Sequence, residues 1–519
     1  MLRLGRESQT GNQMNCSTDI IRRQFLTSNA SGLGLAALAS LLQRDDLLAA
    51  EPGVSWNAAE VEGNARAGAA VNPLAPKAPH FAPKAKACIF FLPEGAPSHI
   101  DLFDPKPKLR ELHRQQLPES MTKNVRFAFI KKETAVLWGS PRTFSRHGQC
   151  GMELSDFLPH LGGVADDVCL IRSMHTDAFN HHPAQLMLTS GVPRFGRPSM
   201  GSWLTYGLGC ETENLPAYVV LTAGRGGSGG VSNWTSGFLP STYQGVLFRD
   251  QGDPVLNLAN PPGVSTALQE QSLGAIASLN RRRLDVLADP EIASRIASYE
   301  LAFRMQAAAP ELVDLSQESQ ATLDMYGADR PEPKDLGGRG SGPDVYKKFA
   351  RNCLLARRLV ERGVRFVTLV HASWDHHSNL DEELGYCAGM ADQPLAALIK
   401  DLKQRGLFES TLLVFAGEFG RTPLAENRGG VMPDKVGRDH HPFAFSIWMA
   451  GGGFKGGLTY GATDEIGWSV TENPVHMNDL HATILHQFGF DHRRLSVNYK
   501  GLSVRLTDQG GKVVPELIA

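Results

Sequence analysis

The sequence predicts an α/β fold built on a mostly parallel central sheet with helices on both faces. Three observations carry the prediction. Short apolar runs bounded by turn residues recur along the chain, stretches of helical spacing separate them, and clusters of carboxylates and imidazoles follow the runs. Strands covered on both faces read as continuous apolar runs, not as alternating ones, and these runs are continuous.

In chain order, the first feature precedes any core pattern. Ile21-Arg22-Arg23-Gln24-Phe25-Leu26-Thr27 sets two arginines ahead of an apolar pair; a Gly/Ala/Leu stretch from Ser31 to Leu42 follows, and Ala49-Ala50 offers a cleavage point. A charged start, an apolar middle and a small-residue end make residues 1–50 an expected twin-arginine export signal, with the twin-arginine translocase as its partner. The middle falls short of the about 20 apolar residues that span a bilayer. No later segment approaches that length, so no stable transmembrane span is expected. The expected location is the periplasm or the medium. Residues 51–86, rich in Ala, Pro and Asn, read as a linker, and 87–519 as the α/β domain.

Buried strands are expected at Cys88–Leu92, Val168–Arg172, Ala217–Leu221, Val364–Val370, Thr411–Ala416 and Phe443–Met449. Between them, Asp344–Arg362 places Val345, Phe349, Cys353, Leu354, Ala356, Leu359 and Val360 on one side of a helix that Gly363 ends. Ala391–Arg405 is a second helix with a glycine after it. Residues 264–328 are polar and helix-favouring and read as a helical insertion. Leu502–Leu517, with Asp508-Gln-Gly-Gly511 between apolar runs, predicts a terminal hairpin.

A net charge of −2 leaves no basic excess for nucleic acid or an anionic membrane. Seven cysteines without a C-x-x-C pair argue against a zinc ribbon or a thioredoxin-like redox site.

Ligands of open α/β sheets sit outside the carboxyl ends of the strands. There the polar clusters fall. Cys88–Leu92 runs into Glu94 and Asp101; Val168–Arg172 leads to His175 and His181-His182-Pro183; Val364–Val370 leads to Asp375-His376-His377; Thr411–Ala416 leads to Glu418 and Arg421. Arg438-Asp439-His440-His441-Pro442 precedes the last predicted strand. Imidazole nitrogen and carboxylate oxygen converging from separate loops suit a divalent ion such as zinc, manganese or calcium. Asp375 and His377 alternate, so both can point one way from an extended loop. A pair such as His440-His441 supplies one ligand and one outer contact. Pro183 suits a first helical turn whose N–H groups would take a phosphate or sulfate, while Leu186, Met187 and Leu188 equally suit a capped core helix. Arg421 reads either as a bidentate anion binder or as the partner of a carboxylate. Ser98 and Thr189 lack a base, which argues against a Ser/His/Asp triad.

Gly95-Ala-Pro-Ser-His-Ile-Asp-Leu-Phe-Asp-Pro-Lys-Pro107, His181-His-Pro183, Trp374-Asp-His-His377, Gly417-Glu-Phe-Gly-Arg-Thr-Pro423 and Arg438-Asp-His-His-Pro442 together resemble the bacterial family called domain of unknown function 1501. Tyr460-Gly-Ala-Thr-Asp-Glu-Ile-Gly467 and Asn478-Asp-Leu-His-Ala-Thr-Ile-Leu485 extend the resemblance over about residues 86–519. The resemblance implies an alkaline phosphatase/sulfatase-like fold. Gly501-Leu502-Ser503 departs from the Gly-Arg-Asp expected there. Sulfatases keep their nucleophile in Cys-x-Pro-Ser-Arg; the matching positions here are His181, Pro183, Ala184 and Gln185, so formylglycine chemistry has no Cys or Ser to start from. The resemblance implies that Asp375 and His377, completed by His440 or His441, form one metal half-site. It implies that Glu94, Asp101 and Glu418 would contribute to the other. His181 would be the nucleophile or an acid–base group with His182 beside it, and Pro183 and Arg421 would hold the anion.

Two functions follow as expectations. One is a metal-dependent hydrolase of sulfate or phosphate esters, with a small-molecule or polysaccharide substrate. The other is a binding or scaffold protein that keeps the fold without its nucleophile.

Overall fold

The computed structural model describes residues 72–224, 227–249, 253–256, 258–333, 342–431 and 434–519. The expected export signal and the first part of the expected linker lie outside the described residues.

Among the described residues, nine strands form the central sheet: β1 (Ala87–Pro93), β2 (Val168–His175), β3 (Tyr218–Ala223), β4 (Val246–Phe248), β5 (Phe366–His371), β6 (Thr411–Phe415), β7 (Phe445–Ala450), β8 (Leu458–Tyr460) and β9 (Val475–His476). Their order is β8-β2-β7-β6-β1-β5-β3-β4, with β9 also on β2. Every pairing is parallel except those of β7, which runs antiparallel to β2 and β6. That reversal matters for the site. The amino end of β7 lies at the edge where its neighbours have their carboxyl ends, so the Arg438–Pro442 loop arrives beside the loops after β1, β2, β5 and β6.

Each buried strand splits its side chains between two cores, as the pleat requires. From β1, Ile89 and Phe91 enter one core with α5 (Val345–Glu361) and α6 (Leu380–Gln404). Cys88, Phe90 and Leu92 enter the other with α2 (Met200–Leu208) and α7 (Met477–Gln487). Burying each large apolar side chain contributes about 1.5–3 kcal/mol before conformational entropy is subtracted. The helix α6 starts at Leu380, earlier than its apolar spacing suggested, and carries Pro394 within it.

Away from the sheet, α3 (Thr266–Leu287) and α4 (Pro290–Val313) form a helical hairpin; α4 packs on α5, whereas α3 buries only Ala277. The terminal hairpin differs from the expectation. Val497–Tyr499 pairs with Leu502–Val504 around Lys500 and Gly501, which both have positive φ, as a two-residue hairpin turn needs. Asp508, expected in the turn, instead accepts from the Arg505 backbone N–H at 3.1 Å and pairs with Arg197 at 2.8 Å. Among the described residues no helix is long and apolar enough to cross a membrane.

Candidate metal centre

Four side chains from three loops converge at the carboxyl edge of the sheet. His181 opens α1 (His181–Ser190), which follows β2 and closes at Gly191 with φ +76°. Asp375 and His377 follow β5. His440 lies in a short ladder with Arg421, just ahead of β7. One nitrogen from each imidazole and one Asp375 oxygen lie within 4.8 Å of one another.

Asp375 Oδ1 is the hub. Arg421 Nη2 reaches it at 2.5 Å, His377 Nε2 at 2.8 Å, His181 Nε2 at 3.3 Å and His440 Nε2 at 3.5 Å. His377 Nε2 and His440 Nε2 are 3.1 Å apart. The backbone of this loop is set by close packing: Trp374 N–H donates to the Glu94 carbonyl at 3.1 Å. Gly95, at φ +110°, lies so near that a Cβ there would come within 2.4 Å of the Asp375 nitrogen.

Behind the hub, each imidazole is held by its other nitrogen. His181 Nδ1 donates to Glu418 at 2.8 Å, His440 Nδ1 donates to the Phe179 carbonyl at 2.9 Å, and His377 Nδ1 donates to Glu426. This fixes each ring as the tautomer whose Nε2 lone pair points inward, the arrangement that metal-ligating histidines show. Buried His181 Nε2 makes no hydrogen bond of good geometry despite its nearness to Asp375. The donors therefore fit a divalent ion: three imidazole nitrogens that an outer layer turns inward, and one carboxylate oxygen that Arg421 also touches.

The electrostatics agree. Burial works against a charge on Asp375, but Arg421, His181, His377 and His440 outweigh it and hold the carboxyl far below its usual range. Burial opposes protonation of His181 too, yet Asp375 and Glu418 raise it to about 9, so without a cation this imidazole carries its own proton. His440 is lowered to about 4 by burial, only partly offset by Asp375.

The cluster lines a cavity of about 720 Å³ together with Phe129, Asn180, His182, Pro183, Ser373, Glu383 and Arg428. His182 Nε2 donates to the Ser228 carbonyl, which leaves Nδ1 as an acceptor. The Asp375 side chain is 39% exposed, so the hub is open to solvent from one side.

Several expected residues stand elsewhere. Asp101 is buried in a bidentate pair with Arg438, at 2.8 and 3.2 Å, and accepts from Ser98 at 2.5 Å. Its charge is already matched, so it offers nothing to an ion. His441 points to the opposite side of the strand from His440, as adjacent residues do, and donates to the Trp468 carbonyl at 2.6 Å. Glu418 accepts from His181, from Gly95 N–H at 3.0 Å and from Gln185 at 3.3 Å; it orients a donor and is not itself in the donor set. Glu94 lies beside it, held by Asn233 at 2.9 Å and raised to about 7 by burial and then by Glu418. Arg421 is 1% exposed, with its N–H groups spent on Asp375 and on the carbonyls of Gly95, Ala96 and Arg438. Of its two sequence readings, partner of a carboxylate is the one the geometry takes. His181 is gathered into the donor set, where the sequence reading had it as nucleophile or acid–base group. Glu426 and Phe129 were missed; the only available signal was a carboxylate a few residues beyond Arg421 in the loop after β6.

The model of the family described as Protein of unknown function (DUF1501) matches residues 85–518. The chain belongs to this family. No curated protein matches it in sequence. Among solved structures, a sulfatase from Pseudoalteromonas sp. (PsFucS1) is similar at 10% identity and a TM-score of 0.34, over 78% of this chain and 68% of that one. The lipoteichoic acid synthase LtaP from Listeria monocytogenes is similar at 10% identity and 0.33, over 81% and 77%. The phosphonate monoester hydrolase of Agrobacterium radiobacter is similar at 12% identity and 0.32, over 84% and 77%.

Proposed function

We propose that this chain is a divalent-metal-dependent hydrolase of sulfate or phosphate esters, exported through the twin-arginine pathway. One observation carries the reading: inward-facing His181, His377 and His440 nitrogens around Asp375, at the wall of an open cavity. His181, Asp375, His377 and His440 would hold the ion. When bound, such an ion polarises an ester oxygen and lowers the pKa of water.

The chain's own residues do the rest. Arg421 keeps Asp375 ionised, and Glu418 and Glu426 keep the rings of His181 and His377 turned inward. His182, with Nδ1 available at the cavity wall, accepts a proton from water or returns one to the leaving alcohol. Phe129 stands edge-on to His377 at 4.8 Å.

A scaffold role draws support from one feature: four protein donors can complete a tetrahedral set by themselves, as in structural sites. The deciding measurement is metal content of the exported protein, repeated on an Asp375→Ala/His377→Ala variant and paired with turnover on a panel of sulfate and phosphate esters. About one equivalent lost in the variant, with turnover lost alongside, is the expected result. Metal without turnover on any ester would favour the scaffold; no metal uptake at all would overturn the hydrolase. Export is tested separately, by locating an Arg22→Lys/Arg23→Lys variant, which should remain inside the cell.

A further inference from the structure

We propose that Arg428 is the residue that recognises the oxyanion of the substrate at the cavity mouth, the role the sequence offered to Arg421; this rests on the hydrolase reading above. Arg421 does not present a free fork to the cavity, because it is 1% exposed and four of its five N–H groups already have acceptors. Arg428 does: its side chain is 58% exposed, it lines the cavity, and it is the only guanidinium or ammonium among the described residues that do so.

The side chain is braced on two sides. Its Nε donates to Glu426 Oε1 at 2.5 Å, and its guanidinium lies over the Phe129 ring at 4.0 Å. Phe129 is itself anchored, since its N–H and that of Ile130 donate to Asp439 at 2.8 and 3.1 Å. With Nε engaged, the two Nη groups have no partner among the described residues. A planar fork held in place, with its outer N–H groups free, suits two oxygens of a tetrahedral anion. Holding it beforehand removes much of the entropy that an exposed arginine would otherwise lose on binding.

Glu426 gives the arrangement a second property. The same buried carboxylate accepts from His377 Nδ1, so one group orients both a metal donor and the anion reader. Outside the four metal donors, the cavity's other charged side chain is the carboxylate Glu383, and Arg421 already neutralises Asp375. Beyond the ion that the donors would hold, an anionic substrate therefore meets its fixed positive charge at Arg428.

The test is equilibrium binding of inorganic phosphate and, in a separate arm, inorganic sulfate to the full chain, with metal content measured on the same samples. Arg428→Gln should weaken binding of at least one anion about 10–100-fold while metal content stays at the wild-type level. Arg428→Lys, which keeps the charge but loses the fork, should fall between. The arm that depends on Arg428 names the anion. With p-nitrophenyl phosphate or sulfate as substrate, Arg428→Gln should raise KM more than it lowers kcat. Unchanged affinity for both anions in Arg428→Gln, or no anion binding by the wild type, overturns the proposal. Arg428-dependent binding in a chain that holds no metal would uphold it while sinking the hydrolase reading.

Discussion

Two Asp–Arg pairs sit near the same sheet edge, and they have different fates. Asp101 and Arg438 are 2% and 0% exposed, joined bidentately and capped by Ser98. Asp375 and Arg421 are joined as closely, yet the Asp375 side chain is 39% exposed and its Oδ1 is shared with three imidazoles. In both, burial works against the carboxylate charge and a guanidinium overcomes it. Charge matching alone therefore does not mark a functional carboxylate. What separates the two is unspent coordination next to solvent: Asp101 has none, and Asp375 sits among nitrogen donors at a cavity wall.

The largest expected effect tests the closed pair. Asp101→Ala leaves Arg438 buried without a counter-charge and should cost about 3–5 kcal/mol in chemical denaturation, while the folded fraction keeps its metal. A loss of metal at undiminished stability would erase the distinction between the pairs.

Next is pH, which should act on the open pair. In the metal-free protein, the raised His181 pKa contributes stability that is full below about 6.5 and disappears as pH rises through about 9. A metal needs the neutral imidazole, so its affinity should climb about tenfold per pH unit across that same window. Melting temperatures with zinc and with chelator should therefore separate progressively from pH 6.5 to 9. Curves that stay parallel would mean that His181 is not a donor.

A smaller effect sharpens the role of the outer layer. Glu426→Gln keeps the shape but weakens the hold on His377, and should lower metal affinity about 10–100-fold without changing the fold, as competition with a chelator would show. An unchanged affinity would place His377 outside the ligand set.

Much of the architecture was legible because it follows from local chemistry. Continuous apolar runs marked β1, β2, β3, β5, β6 and β7, and helical spacing marked α5, because burial on two faces or one imposes those patterns. The loop positions of Asp375, His377, His181 and His440 were legible for the same reason. The hairpin turn was placed too late because Asp508-Gln-Gly-Gly511 has turn composition, whereas Lys500-Gly501 took the left-handed backbone. The role of Glu426 was not legible at all, since one glutamate in a polar loop carries no periodicity.

Read alone, the residues placed the six longer strands and α5, gathered the polar loops at one edge, and pointed to the family. Which of those polar groups meet depends on how the elements pack. The antiparallel entry of β7 turns His440 toward Asp375 and His441 toward Trp468. The crossing of distant loops gives Arg438 to Asp101 and Arg421 to Asp375, and leaves Arg428 at the mouth. The reason is physical: apolar patterning records burial along the chain, whereas a coordination site is a coincidence of side-chain directions from segments far apart in it.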